Sequence, residues 1–206
     1  MSYDSSKVPV YQPITGYNHL WVHYREYHHK LDQWIGHMWM QFLPRDIKWC
    51  KILDIGSGDG RMIKYFDDVP YAEYIALDWS QLLLDQIQIN SHISVLQGDL
   101  ESDRDIADHS IDIWLCFFVL GHLADIQHFC IESARVMKSW STLIIQYHDE
   151  PKPYIHHIGA DMYKIQTYHH HIDDIVDELH YAWFQTYIHQ IVHKGVVTSW
   201  LIVCHI

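Results

Sequence analysis

Between residues 45 and 148 the apolar positions come in short runs separated by amphipathic stretches. The runs at 50–55, 74–77, 93–96, 111–118 and 142–147 are mostly apolar rather than alternating, which marks strands buried on both faces. Between them, 59–67, 80–90 and 125–138 carry apolar residues at helical spacing. Strand–helix–strand repetition predicts a mostly parallel sheet with right-handed crossovers and helices on both faces. Upstream, Leu20, Trp21, Tyr24, Tyr27, Leu31, Trp34, Ile35, Met38 and Phe42 fall at helical spacing. One bent helix or two short ones are expected over 17–43, with Asn18 as N-cap and Pro44 as the stop. Residues 1–16, with Pro9 and Pro13, read as a loose tail or strap. Downstream, a helix over 171–182 precedes two β-rich runs, 184–193 and 196–206. They hinge at Lys194-Gly195 and read as an antiparallel hairpin.

The strand ends carry the chemistry. In KILDIGSGDGRMIKYF, residues 51–66, a buried strand ends at Asp54, and Gly56, Gly58 and Gly60 follow at every second position. Glycines there let the chain turn tightly and bring backbone N–H groups against a ligand at the positive end of a helix. The next strand ends at Asp78, 22 residues after Gly56, placed to accept both hydroxyls of a ribose. The third ends in Gln97-Gly98-Asp99-Leu100, where Asp99 suits the exocyclic amine of an adenine. All three strand ends converge on one edge of the sheet, the edge at which open α/β sheets bind ligands. Dinucleotide-binding oxidoreductases space their glycines as Gly-x-Gly-x-x-Gly, whereas these alternate without the extra residue.

With these residues in order, the sequence resembles the class I S-adenosylmethionine-dependent methyltransferases, in particular the type 11 branch. The acidic-x-Gly-x-Gly-x-Gly pattern of that family matches Asp54, Gly56, Gly58 and Gly60. Its acidic ribose ligand resembles Asp78, with Trp79 flanking the adenine, and its Gly-Asp pair resembles Gly98-Asp99, followed by Leu100. Residues 110–114, 117–123 and 132–138 resemble its fourth strand, the continuation past the methionine moiety, and the helix into strand five. The resemblance spans roughly residues 50–148. It implies a Rossmann-like α/β fold with a mostly parallel seven-stranded sheet and an antiparallel C-terminal hairpin. It also implies S-adenosyl-L-methionine as cofactor and S-adenosyl-L-homocysteine as product. Gly56, Ser57, Gly58, Asp78, Asp99 and Phe117 are expected to line the cofactor site. One departure stands out: the family's Lys-Pro-Gly-Gly before strand five is Lys138-Ser139-Trp140-Ser141 here, a turn without easy positive φ.

Methyl transfer asks the protein for alignment and, where the acceptor has a proton to lose, for a base. His148, closing strand five beside Asp149, is the candidate base. Tyr17 and Tyr24, from lid helices, and His122, after strand four, are candidate acceptor-binding residues. Trp34, Trp39 and Trp49 read as core. The pairs and triplets His156-His157 and His169-His170-His171 do not make a metal site, since neighbours splay apart on a strand or a helix. No metal is expected.

Composition bounds the rest. At 206 residues, 49% hydrophobic and 19% charged, one domain is expected. It divides into a tail and lid (1–44), a cofactor-binding core (45–148) and a substrate-side loop, helix and hairpin (149–206). No window nears the ~18–20 apolar residues of a membrane span, and the N-terminus lacks a secretory signal; a cytoplasmic protein is expected. A net charge of −12 without a basic stripe argues against nucleic acid and anionic membrane. A small-molecule acceptor is expected, bound by a monomer or homodimer. A non-catalytic cofactor-binding or scaffold protein, and a methyltransferase acting on RNA or protein, remain as alternatives. Cys50, Cys116, Cys130 and Cys204 form no CxxC pair and read as free thiols. Nineteen His make the charge soft. Solubility is expected to fall sharply as pH approaches the sequence pI of about 5.8, and a solubility scan without a minimum there refutes this.

Overall fold

The computed structural model describes residues 8–24, 38–99, 105–148, 155–158, 161–193 and 195–206. In chain order its elements are β1 (Val10–Tyr11), α1 (Pro13–Leu20), β2 (Lys51–Ile55), β3 (Glu73–Asp78), α2 (Gln81–Leu84), β4 (Ile93–Gln97), β5 (Ile111–Phe117) and α3 (Ile126–Val136). They continue with β6 (Met137–Tyr147), β7 (Ile155–Ile158), β8 (Asp161–Ile165), α4 (Ile172–Tyr181), β9 (Gln185–His193) and β10 (Val196–His205). Short 3₁₀ turns lie at Trp21–His23, Met38–Phe42, Ile63–Phe66 and Leu120–His122.

Seven strands form one sheet in the order β4-β3-β2-β5-β6-β10-β9. Pairing from β4 through β6 is parallel, and β10 runs antiparallel to both β6 and β9. Successive residues of each central strand feed opposite cores. Leu53, Trp114 and Ile145 pack under α3 and α4 against Phe129, Cys130, Ile175 and Leu179. Ile52, Ile113 and Ile144 pack on the other face against Trp39, Met62, Phe66 and Leu84. Both faces being covered is why these runs are mostly apolar.

Two expectations for the N-terminus are corrected. Asn18 is not an N-cap: α1 starts at Pro13, whose fixed φ suits the first helical position, with Gln12 before it. Asn18 sits inside α1, where its Oδ1 accepts the Ser80 hydroxyl at 2.6 Å. Nor is the described part of the strap, from residue 8 on, loose. Val10 and Tyr11 pair in parallel with Lys164 and Ile165 of β8, and β7 completes a second, three-stranded sheet from the segment read as a loop. Gly16 of α1 lies on Ile165, where a Cβ would come within 2.6 Å of Cγ1. The helices expected at 59–67 and 80–90 shrink to a 3₁₀ turn and to α2, because the chain spends 56–60 in the glycine turn and leaves the helix after Asp85. Tyr27, Leu31, Trp34, Ile35, Leu100, Asp149 and Lys194 lie outside the described residues.

Trp39 is core, but Trp49 is 76% exposed at the bend before β2, with the Lys48 ammonium 5.0 Å from its ring centroid. Two other tryptophans are also exposed. Trp140 sits at φ 69° where the resemblance puts glycine, and Trp183 sits at φ 71° after α4; they are 91% and 86% exposed. Left-handed backbone costs a residue with a Cβ about 1–2 kcal/mol, and glycine gives back part of that as chain entropy. Trp140→Gly and Trp183→Gly are each expected to stabilise by about 0.5–1 kcal/mol, which is a rise of roughly 2–4 °C at most for a chain of this size. Lower midpoints on urea or thermal unfolding would mean that the indoles hold contacts worth more than the strain.

Candidate functional site

The site lies at the C-terminal ends of β2, β3 and β5. Beyond Ile55 the chain passes through Gly56 (φ 65°), Gly58 (φ 58°) and Gly60 (φ 77°), all left-handed. Space is as tight as the backbone. A Cβ on Gly56 would lie 2.3 Å from Val119 Cγ2, and one on Gly58 would lie 2.3 Å from the Tyr24 hydroxyl. The Ser57 amide donates to the Leu77 carbonyl at 3.0 Å, tying the turn to β3. Ser57 Oγ is buried with no hydrogen-bond partner.

Asp78 ends β3 beneath this turn. Its Oδ2 accepts the Gly58 amide at 2.9 Å and its Oδ1 accepts the Ser80 amide at 2.8 Å. Burial pushes its carboxyl up to about 6, against the lowering effect of the Ser80, Gly58 and Trp79 amides. Asp54 is buried too, but it accepts the Tyr74 hydroxyl at 2.6 Å and lines neither cavity of the site. Burial raises it to about 7, with Tyr74 and Arg61 opposing. Its place is under the turn, supporting it.

Trp79 follows Asp78, and its indole Nε1 donates to Asp99 Oδ1 at 3.1 Å. The Gly98 amide donates to the Asp78 carbonyl at 3.2 Å, and the space beside Gly98 is open. Trp79, Gln97, Gly98 and Asp99 line a cleft of about 440 Å³, together with Gln12, Pro13 and Ile14, His122 and Tyr168. Trp79 and His122 also line a smaller cavity of about 30 Å³ over the glycine turn, with Tyr17, Tyr24, Gly56, Arg61, Asp78, Leu83, Phe117, Phe118 and Val119.

Tyr17, Tyr24 and His122 line the same cavity as Gly56, Asp78 and Phe117. His148, one residue beyond β6, lines neither cavity. Sequence reasoning passed over Arg61 and Phe118. Arg61 directly follows the third glycine, and that position was its signal; its guanidinium carbon lies 5.5 Å from the Phe118 ring centroid. Phe118 holds φ 62° while its amide donates to the Gln146 carbonyl at 2.9 Å, a strained conformation of the kind that collects at functional sites. The histidine runs are spent on structure. His170 Nε2 bonds the Leu123 carbonyl at 2.8 Å, and His156 stacks on Tyr163 at 5.4 Å.

Comparison with known proteins follows from this geometry. Residues 53–145 match the family model described as "Methyltransferase domain". Among solved structures, a putative S-adenosylmethionine-dependent methyltransferase from Listeria monocytogenes superposes with TM-score 0.70 at 16% identity, covering 82% of this chain and 96% of that one. DhpI in complex with SAH superposes with TM-score 0.72 at 12% identity, covering 94% and 95%. Geranyl diphosphate C-methyltransferase from Streptomyces coelicolor gives 0.69 at 11% identity, covering 86% and 80%. A comparison with curated protein sequences finds no match.

Proposed function

We propose, for a chain that carries a methyltransferase domain in the class I S-adenosylmethionine-dependent fold, that it transfers a methyl group from S-adenosyl-L-methionine to a small molecule. The observation that carries this is the buried Asp78 carboxylate, held by the Gly58 and Ser80 amides beside three left-handed glycines. The residues present fit the cofactor. Asp78 takes the ribose hydroxyls, and Trp79 and Asp99 flank the adenine; Leu100, assigned to the same group by its place in the sequence, lies outside the described residues. Gly56, Ser57, Gly58 and Gly60 cradle the methionine end on Asp54 below, where the partnerless Ser57 Oγ is a ready donor. Arg61 meets the carboxylate, and Phe117 walls the reacting end. When bound, the cofactor supplies an electrophilic methyl group on sulfur.

Tyr24 covers the glycine turn. Its hydroxyl rests directly on Gly58, so a ligand reaches the turn only once the Tyr24 side chain turns aside. Tyr17, Tyr24 and His122 then close over the acceptor, while His148 stands outside both cavities. An aromatic-lined cavity whose one lining cation among the described residues is Arg61 suits a small acceptor better than RNA or a peptide. The three-part division into strap and lid, core, and C-terminal segment belongs to the same reading. So does a cytoplasmic monomer or homodimer; no helix among the described residues is long and apolar enough to cross a membrane.

Calorimetric titration with S-adenosylhomocysteine, with NAD as control, tests this. Micromolar binding of the former alone is expected. A folded protein that binds neither overturns the reading, and one that prefers NAD replaces it with a dinucleotide enzyme.

A further inference from the structure

Tyr17, on α1, and His122, in the turn after β5, stand 105 residues apart in the chain and meet inside the cavity. Tyr17 Oη lies 2.8 Å from His122 Nε2, and the two rings cross edge to face with centroids 5.3 Å apart. On the far side of the imidazole, Nδ1 lies 3.0 Å from the Gln166 carbonyl oxygen. A carbonyl only accepts, so Nδ1 carries the hydrogen. Nε2 of the neutral ring is then a lone pair, and the Tyr17 hydroxyl donates to it. The backbone of Gln166 thus sets the tautomer in which His122 offers a base to the cavity.

That backbone position is itself built. The Gln166 amide donates to the Tyr11 carbonyl at 2.8 Å, extending the β1–β8 pairing. The small sheet therefore positions both members: β1 leads into α1 and Tyr17, and β8 leads into Gln166.

Resting on the methyltransferase reading, we propose that Tyr17 and His122 form a proton relay, and that the acceptor is accordingly a small, weakly acidic hydroxyl compound of phenolic type. An acceptor with no proton to lose, such as a tertiary amine or a thioether, has no use for the relay. As the acceptor oxygen bonds to the methyl carbon, its proton passes to Tyr17 Oη and the Tyr17 proton passes to His122 Nε2. The methyl–sulfur bonding pair stays on sulfur. The positive charge lost there reappears on the imidazolium, whose Nδ1–H remains bonded to the Gln166 carbonyl. Tyr17 is the catalytic residue in contact with the acceptor, and His122 acts through it.

The surroundings agree. Burial lowers the basicity of His122, against the bond to Gln166, so the ring is neutral and able to accept at pH 7. Burial first, then Asp78, holds the Tyr17 hydroxyl well above its usual range, so it relays a proton rather than resting as a phenolate. Arg61 opposes that rise and Tyr163 adds to it; Tyr24 also faces Tyr17, and His156 faces His122 from β7. Phe117 and Phe118 supply aromatic walls for an aromatic acceptor.

The test uses the full chain saturated with S-adenosylhomocysteine. Nitrogen-15 NMR is expected to find His122 neutral and protonated on Nδ1 at pH 7. An Nε2–H tautomer or an imidazolium overturns the proposal. The second readout is 4-nitrophenol, followed by its visible phenolate band at pH 7. In the wild-type complex its ratio of ionised to neutral form is expected to rise about tenfold over free solution, equivalent to one pKa unit. Tyr17→Phe and His122→Gln should both lose the rise. The glutamine keeps a donor for Gln166 and an acceptor for Tyr17 but takes no proton, so a merely structural role for His122 would leave its signal intact. A probe that does not bind, or that ionises equally in all three proteins, overturns the relay. Failure of the wild type to bind S-adenosylhomocysteine strikes the cofactor reading instead.

Discussion

Asp78→Ala is expected to lower the affinity for S-adenosylhomocysteine by about 10²–10⁴-fold, because the two charge-assisted hydrogen bonds to the ribose that the proposed reading gives it would be lost at ~1.5–3 kcal/mol each. The carboxylate is held by backbone, with the Gly58 amide on one oxygen and the Ser80 amide on the other. Asp78→Asn does not rescue it, since the amide NH₂ would point a donor at one of those two N–H groups. Protonation has the same effect as mutation. Burial puts the Asp78 carboxyl at about 6, and only the ionised form accepts two hydroxyls. Affinity is therefore full above that pH and falls by about tenfold per pH unit below it. Calorimetric titration of wild type and variants between pH 5 and 8 measures both effects, with a thermal melt confirming the fold. An unchanged dissociation constant in Asp78→Ala ends the assignment.

Asp54→Asn stabilises the protein at pH 8 by up to about 4 kcal/mol and leaves it unchanged at pH 4. The free carboxyl titrates at 3.8 and the folded one at about 7. Between those values the native state holds a proton that the unfolded chain has released. The native state thus binds more protons, and wild-type stability falls as pH rises through this window. A gap of about three pH units at ~1.36 kcal/mol each gives the magnitude. The asparagine carbonyl still accepts the Tyr74 hydroxyl, which now lies 2.6 Å from Asp54 Oδ2, and nothing remains to ionise. Asp78 titrates in the same sense and leaves a residual slope in the variant. Urea unfolding at pH 8 and pH 4 avoids the poorly soluble region near the pI of about 5.8. A destabilised variant at pH 8 would mean that the ionised carboxylate is a net support of the glycine turn.

Much of the fold was legible because it is written in short-range patterns. Mostly apolar runs located β2 through β6 to within a residue or two, except at the start of β6. The expected strand began at 142, whereas β6 runs back to Met137 through Trp140 in left-handed backbone. The three glycines and Asp78 were readable by spacing, since a turn after a strand and an acid at the next strand end are local features. β7 and β8 were missed, although Ile155-His156-His157-Ile158 and Asp161–Ile165 flank Gly159-Ala160. Runs of four and five residues without strict alternation are weak signals by themselves, and their third strand, β1, lies about 150 residues earlier in the chain. Trp49 was misjudged because apolar character predicts burial only on average.

By itself the sequence determined the sheet class, the glycine turn, the carboxylate at the end of β3 and the hairpin turning at Gly195, which takes φ 81°. Each follows from backbone preference or side-chain period within a few residues. Tertiary structure alone decided that the strap pairs with β8, that Tyr24 rests on Gly58, and that Tyr17 meets a histidine whose tautomer Gln166 sets. Those contacts join segments some 34 to 154 positions apart in the chain. No local periodicity encodes them, because they exist only once loop-closure entropy has been offset by packing of the whole core.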